Sequence, residues 1–255
     1  LIDNKLVICT KDGTSVYNLK TKKFYIPKIN NYLPEYEVHS IEYVAGNNSW
    51  LVATSKGLVI YKDDNQALRH FYSIKDVENS LPDNNLRCMH RINDERIFIG
   101  TADGLCEYNA LNNNIKRINL NLLTTNQSPR LDISNIMSFS ENEIMISTYT
   151  NGLYLYNYQE NTATHISKFN TRNAISENYI FDVYKDNMGS VWVATFTGLN
   201  RFENNLAKFS TVNIFENGSL LSINYFLDLQ YDDNILIGTE SGIKVFNTKD
   251  ESIVD

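Results

Sequence analysis

Apolar residues in this chain come in short runs separated by clusters of Asn, Asp, Ser, Lys and Gly, with no sustained stripe at helical spacing. Runs of that length, rich in β-branched and aromatic residues, predict strands. Set against one another, they expose a repeat: an apolar strand ending in Thr, a short gap, a Gly, and a second strand ending in Tyr or Phe. The copies read LVICTKDGTSVY, WLVATSKGLVIY, IFIGTADGLCEY, IMISTYTNGLYLY, VWVATFTGLNRF and ILIGTESGIKVF. Their threonines are Thr10, Thr54, Thr101, Thr148, Thr195 and Thr239, spaced 44, 47, 47, 47 and 44 residues apart. Gly13, Gly57, Gly104, Gly152, Gly198 and Gly242 follow, so six of the 11 glycines occupy one equivalent place. A tight turn between antiparallel strands explains that place, because glycine reaches positive φ without cost.

From the second copy onward another apolar segment lies upstream: Val38 to Val44, Leu86 to Ile92, Ile133 to Phe139, Ile180 to Tyr184 and Phe226 to Tyr231. Polar turns such as AGNNS, NDE, SENE and KDNMGS join each to the next strand. A fourth segment follows downstream, as in Lys23 to Ile26, Leu68 to Tyr72 and His165 to Phe169. Four strands in a period of about 46 residues leave roughly five or six residues per strand and no room for a helix. The expected fold is all-β, a β-propeller of about six four-stranded repeats, with residues 1–255 forming one propeller domain or a propeller fragment. The first copy lacks an upstream innermost strand and the last ends after Ile253 in an outer strand, giving about 23 strands. Either a further segment completes the first blade, or the chain is part of a seven-bladed ring or of a larger double-propeller sensor.

The fifth repeat, NYIFDVYKDNMGSVWVATFTGLNRF, resembles the two-component-regulator propeller repeat, in which an acidic or Asn/Gly turn leads into W-x-G/A-T and then G-L-x-R-Y/F. Trp192, Ala194, Thr195, Gly198, Leu199, Arg201 and Phe202 fall on that pattern. The other copies match more loosely: only Trp50 and Trp192 keep a Trp near the family position, and other blades carry Phe, Met or Leu. The resemblance implies the periplasmic sensor region of a hybrid two-component system of Bacteroidetes-type bacteria. In that family two such propellers precede an immunoglobulin-like domain, a membrane helix and a histidine kinase, and the ligands are mainly glycan fragments. It therefore implies a non-catalytic, ligand-sensing region with an oligosaccharide as ligand and a homodimer as the signalling form. Membrane attachment would come only through segments outside this chain, which has no kinase motif.

Composition narrows the partners. The formal net charge is −7, and no basic cluster is longer than the one at Lys20, Lys22 and Lys23, so nucleic acid is not expected as a partner. No apolar run approaches the roughly 18 residues of a membrane helix, and no signal segment opens the chain. A start at Leu1 suggests a processed or excised piece of a longer protein. Cys9, Cys88 and Cys106 are too few and too scattered for a disulfide framework or a metal knuckle, and read as small buried strand residues.

No catalytic residue, metal ligand or cofactor motif is assigned. His39, His70, His90 and His165 occupy four different places on the repeat and read as strand-surface residues. The acid pairs Asp63–Asp64 and Asp232–Asp233 read as solvated turns, although carboxylates from different blades remain free to converge near the axis. In a propeller, the Thr-to-Gly gap and the loop before the innermost strand project from one face. The gaps hold small or charged residues except for Tyr149 and Phe196, in adjacent blades. The loops before the innermost strands supply Tyr36 and Glu37, Asn84 and Asn85, Arg130 and Asp132, Asn178 and Tyr179, and Asn224 and Tyr225. Aromatic planes beside amides and charges suit sugar rings, so Tyr149, Phe196, Arg130, Asp132, Asn178 and Tyr179 are the expected ligand-binding residues. The alternatives are that Tyr179 and Tyr225 cover blade ends while Asn178 and Asn224 cap turns, and that the face grips another protein as an interaction scaffold.

Overall fold

The computed structural model describes residues 4–33, 36–62, 68–123, 130–170, 174–203, 208–216, 219–228 and 233–254. Asp63, Asp64 and Asp232 of the acid pairs lie outside them. The chain divides into two compact units, Leu1–Asn119 and Leu120–Asp255.

The first unit begins with a three-stranded sheet, β1 (Lys5–Thr10), β2 (Gly13–Asn18) and β3 (Lys23–Tyr25). Two four-stranded antiparallel meanders follow: β4 (Val38–Val44) to β5 (Ser49–Thr54), β6 (Gly57–Tyr61) and β7 (Leu68–Phe71), then β8 (Leu86–Arg91) to β9 (Arg96–Thr101), β10 (Gly104–Asn109) and β11 (Asn114–Ile118). After the four-residue helix α1 (Leu120–Leu123), the second unit holds three more meanders. They are β12 (Ile133–Ser138), β13 (Glu143–Thr148), β14 (Leu153–Asn157) and β15 (Thr162–Ile166); then β16 (Ile180–Lys185), β17 (Val191–Thr195), β18 (Gly198–Glu203) and β19 (Lys208–Val212). A small hairpin, β20 (Phe215–Glu216) with β21 (Ser219–Leu220), precedes the last blade: β22 (Ile223–Asp228), β23 (Asn234–Thr239), β24 (Gly242–Asn247) and β25 (Ser252–Val254). The expected four-stranded repeat is present, and apart from α1 the described residues hold only two short 3-10 turns as helix.

Within each unit the innermost strands of successive blades lie side by side, β4 against β8, and β12 against β16 against β22. A sheet with a blade on either side within its unit is therefore covered on both faces, which is why its second strand reads as an unbroken apolar run: β17 is buried at every residue. β1 occupies a second-strand place with no innermost strand paired to it among the described residues, and it is correspondingly half-exposed.

The Thr-x-x-Gly block is a self-closing hairpin turn. Each Thr hydroxyl donates to the carbonyl of its Gly, at 2.7 Å for Thr54, 2.9 Å for Thr101 and Thr148, and 2.8 Å for Thr195 and Thr239. Thr10 does the same at 3.0 Å. At Gly57, φ is +117° and a Cβ would stand 2.4 Å from the carbonyl oxygen of Phe71, so both backbone and space demand glycine.

Three sequence expectations need correction. The last innermost strand starts at Ile223, not Phe226, because all five innermost strands carry a β-bulge one residue after the apolar residue that pairs with Thr. Asn224 and Tyr225 consequently lie in β22 rather than in the loop before it. Trp50 and Trp192 stand four and three residues before their threonines, and so on opposite sheet faces. Trp192 meets Phe246 of the following blade edge-on at 5.4 Å, whereas Trp50 sits against Tyr43 at 4.9 Å. Of the cysteines only Cys106 is fully buried; Cys9 and Cys88 are half-buried. Burial still pushes the Cys9 thiol up to about 11, which keeps it protonated and unreactive near neutrality.

Candidate functional site

The six expected ligand residues all belong to the second unit, in the first two of its blades. Their backbones are tied by a rule that recurs around the repeat: the first gap residue donates its amide to the carbonyl of the residue just before the innermost strand. Ser55 bonds Glu37 and Ala102 bonds Asn85, each at 2.9 Å; Tyr149 bonds Asp132 at 3.0 Å and Phe196 bonds Tyr179 at 3.1 Å. The ladder thus extends past the bulge, and gap and loop residues become neighbours wherever the pattern holds.

The Tyr149 loop is one residue longer than the others. Asn151 holds it, donating its amide to the Thr148 hydroxyl at 2.8 Å and its side-chain NH2 to the Arg130 carbonyl at 3.0 Å. The Asn151 carbonyl lies 2.6 Å from Nε2 of His165, whose ring packs on Tyr154 at 4.7 Å. His165 is therefore a loop anchor rather than a plain strand-surface residue.

Three rings form a row across the boundary between the two blades. Tyr179 is central, 5.6 Å from Tyr149 and 6.1 Å from Phe196, and is backed edge-on by Phe181 at 5.1 Å. Tyr179 and Phe196 are exposed, 38% and 56%, while Tyr149 is half-buried. The rings are inclined to one another by 50° and 61°, and the loop before the first of the two blades carries an exposed arginine, Arg130, and a half-buried aspartate, Asp132. Such a surface can stack a flat apolar ring face while the charged and amide groups serve hydroxyls or anions.

Asn178 also ties neighbouring loops together. Its side-chain oxygen accepts the Lys168 amide at 2.8 Å and its carbonyl accepts the Gly152 amide at 2.9 Å, so it locks one loop to the next. Lys168 in turn clamps Glu177 through both carboxylate oxygens, at 2.9 and 3.0 Å, and this bond is the main reason that the Glu177 carboxyl titrates below its ordinary range. Lys168, Glu177 and the 77% exposed Phe169 were not singled out from the sequence. Their signal was available: Glu177 directly precedes Asn178, and Phe169 is an aromatic in a polar linker. Among the described residues no group of three or more His, Cys, Asp or Glu is placed to hold a metal ion.

Repeated four-stranded meanders packed blade on blade define the class, a β-propeller. The chain is similar to the extracellular domain of a protein described as a hybrid two-component system from B. thetaiotaomicron, with a TM-score of 0.75 at 17% identity over 98% of this chain and 33% of that one. It thus spans about a third of that structure's length. It is also similar to the β-propeller domain of Cps50 (Swd1) from Myceliophteria thermophila, with a TM-score of 0.70 at 11% identity over 99% of this chain and 82% of that one. A chain of the mitotic checkpoint complex gives a TM-score of 0.67 at 11% identity, covering 98% and 72%. At such identities these likenesses establish the propeller fold. No protein-family model matches the chain, and no curated protein matches it.

Proposed function

We propose that this chain is a non-catalytic sensor region of a bacterial hybrid two-component system, working outside the cytoplasm and binding oligosaccharides on the aromatic row of Tyr149, Tyr179 and Phe196. The observation that carries the reading is the row itself. Three rings at 5.6 and 6.1 Å, two of them exposed, would suit stacking against the apolar face of a sugar ring, and a purely structural turn has no need of them. The likeness to an extracellular domain of a two-component system supports the setting. Arg130 and Asp132 would select among sugars, Arg130 favouring uronic or sulfated units through charge-assisted hydrogen bonds. Asn178 positions the loop carrying Tyr179 through its side-chain oxygen and would offer its side-chain NH2 to a sugar hydroxyl.

Calorimetric titration of neutral, uronic and sulfated oligosaccharides against wild type and the Tyr149→Ala/Phe196→Ala double variant tests this. Wild type is expected to bind at least one class, with a loss of about tenfold or more in the variant, since stacking on an aromatic ring contributes on the order of 1–1.5 kcal/mol per contact. Undiminished binding in a folded double variant would move the site elsewhere. Absence of binding by both proteins would favour the scaffold reading, in which the same exposed rings receive another protein.

A further inference from the structure

The first unit contains a cavity of about 360 Å³ between its first two blades, which the aromatic row described above does not share. Its origin lies in the repeat. The residue after the turn glycine is the buried Leu58, Leu105, Leu153 or Leu199 in the second to fifth copies, the exposed Ile243 in the last and Thr14 in the first. The residue three before the threonine is Leu, Phe, Met, Trp or Leu in the same five copies and Val7 in the first. The first blade therefore presents small side chains toward its neighbour, and the space is left open.

The walls are chemically particular. From the second blade come Trp50, Tyr43 and the buried Tyr61; from the first unit's opening strand and the following linker come Lys5 and Lys28. The rings hold one another: Tyr43 packs on Trp50 at 4.9 Å and donates its hydroxyl to Asn48 at 2.7 Å, and Tyr61 packs on Tyr32 at 5.8 Å. Thr14 is equally fixed, its hydroxyl donating to Asn30 Oδ1 at 2.8 Å and its amide donating to the same oxygen at 3.0 Å. Among the described residues no carboxylate lines the cavity and neither lysine is in an ion pair.

We propose that this cavity binds a small aromatic carboxylate, its ring between Trp50, Tyr43 and Tyr61 and its anionic group at Lys5 and Lys28. The volume falls at the small end of ligand pockets, suited to a molecule of one or two rings. Two lysines with no acid among the lining residues call for a negative charge. A hydroxyl-rich ring is disfavoured, because most of the wall is aliphatic or aromatic, and the Thr14 hydroxyl, the Tyr43 hydroxyl and the Asn48 side-chain oxygen are already engaged.

The test titrates the chain with phenylacetate, 2-naphthoate, phenylacetamide and glucuronate, followed by calorimetry and by the fluorescence of Trp50, the tryptophan in the cavity wall. The acids are expected to bind saturably and to perturb Trp50, with phenylacetamide and glucuronate weaker by about tenfold or more. Lys5→Ala/Lys28→Ala should weaken the acids toward the amide. Thr14→Leu, which introduces the residue found in four other copies, should abolish binding; Val7→Leu fills the same space should loss of the Asn30 tie unfold the first variant. Equal binding of acid and amide, tighter binding of glucuronate, unaltered binding in the filled variants, or no binding of either acid by folded wild type at millimolar concentration would each overturn the proposal.

Discussion

Asp182 joins the innermost strands of all three blades of the second unit. It sits one residue beyond the bulge of β16, 8% exposed, and its carboxylate reaches both neighbouring innermost strands. Oδ2 accepts the Phe226 amide at 3.0 Å; Oδ1 accepts the Val183 amide at 2.8 Å and the side-chain NH2 of Asn135. Three donors converge on one buried acid, yet burial outweighs them and raises its pKa. A folded-state pKa above the unfolded value gives stability that is whole below the ordinary aspartate range and falls as pH rises through the folded value. Asp182→Asn should cost about 1–3 kcal/mol, because the amide keeps one acceptor oxygen and turns NH2 toward another donor. Since asparagine does not titrate, the gap between wild type and variant should narrow as pH is raised from about 4 toward 7. Urea denaturation across that range measures it, and a widening gap would show that the three hydrogen bonds outweigh desolvation.

At the level of strands and turns, the sequence repeats more than its glycines. Asn18, Asn109, Asn157 and Asn247 each accept two backbone amides with the side-chain oxygen and so fold the turn into the outer strand. Four residues later comes a left-handed residue: Lys22 at φ 57°, Asn113 at 56°, Asn161 at 53° and Glu251 at 52°. Asparagine adopts that region at lower cost than lysine. Asn113 and Asn161 also accept the hydroxyls of Tyr108 and Tyr156, each at 2.9 Å, and Tyr17 stands at the matching distance before Lys22. Lys22→Asn is therefore expected to stabilise the protein by about 0.5–1 kcal/mol, read as a raised denaturant midpoint. An unchanged or lowered midpoint would mean that the exposed turn relaxes without regard to its φ.

Across the whole molecule, stability is carried by blade-to-blade packing rather than by one central core. Leu51, Leu58 and Ile60 pack against Ile97, Ile99, Cys106 and Tyr108 in the first unit; Trp192 and Leu199 pack against Ile235, Ile237 and Phe246 in the second. Trp192 is fully buried, bonds Asp186 through Nε1 at 2.8 Å, and receives Arg201 over its ring at 5.6 Å. Trp192→Ala should cost roughly 3–5 kcal/mol by urea denaturation; near-wild-type stability would contradict the burial. Strand order, the six turns and the all-β class were legible in the sequence because each follows from local chemistry: Thr and Gly close a hairpin wherever they recur at that spacing. The pairing of gap residues with the loop before the innermost strand was legible for the same reason, and it brought Tyr149, Tyr179 and Phe196 to one row. Tertiary structure alone decided the rest. The bulges are occupied by His39, Arg87, Ser134, Phe181 and Asn224, which share no residue type, so nothing local announced them or the true start of β22. The reach of Asp182 to two other strands, the opposite facing of Trp50 and Trp192, and the cavity left by Val7 and Thr14 depend on which sheet face meets which neighbour, and only packed blades determine that.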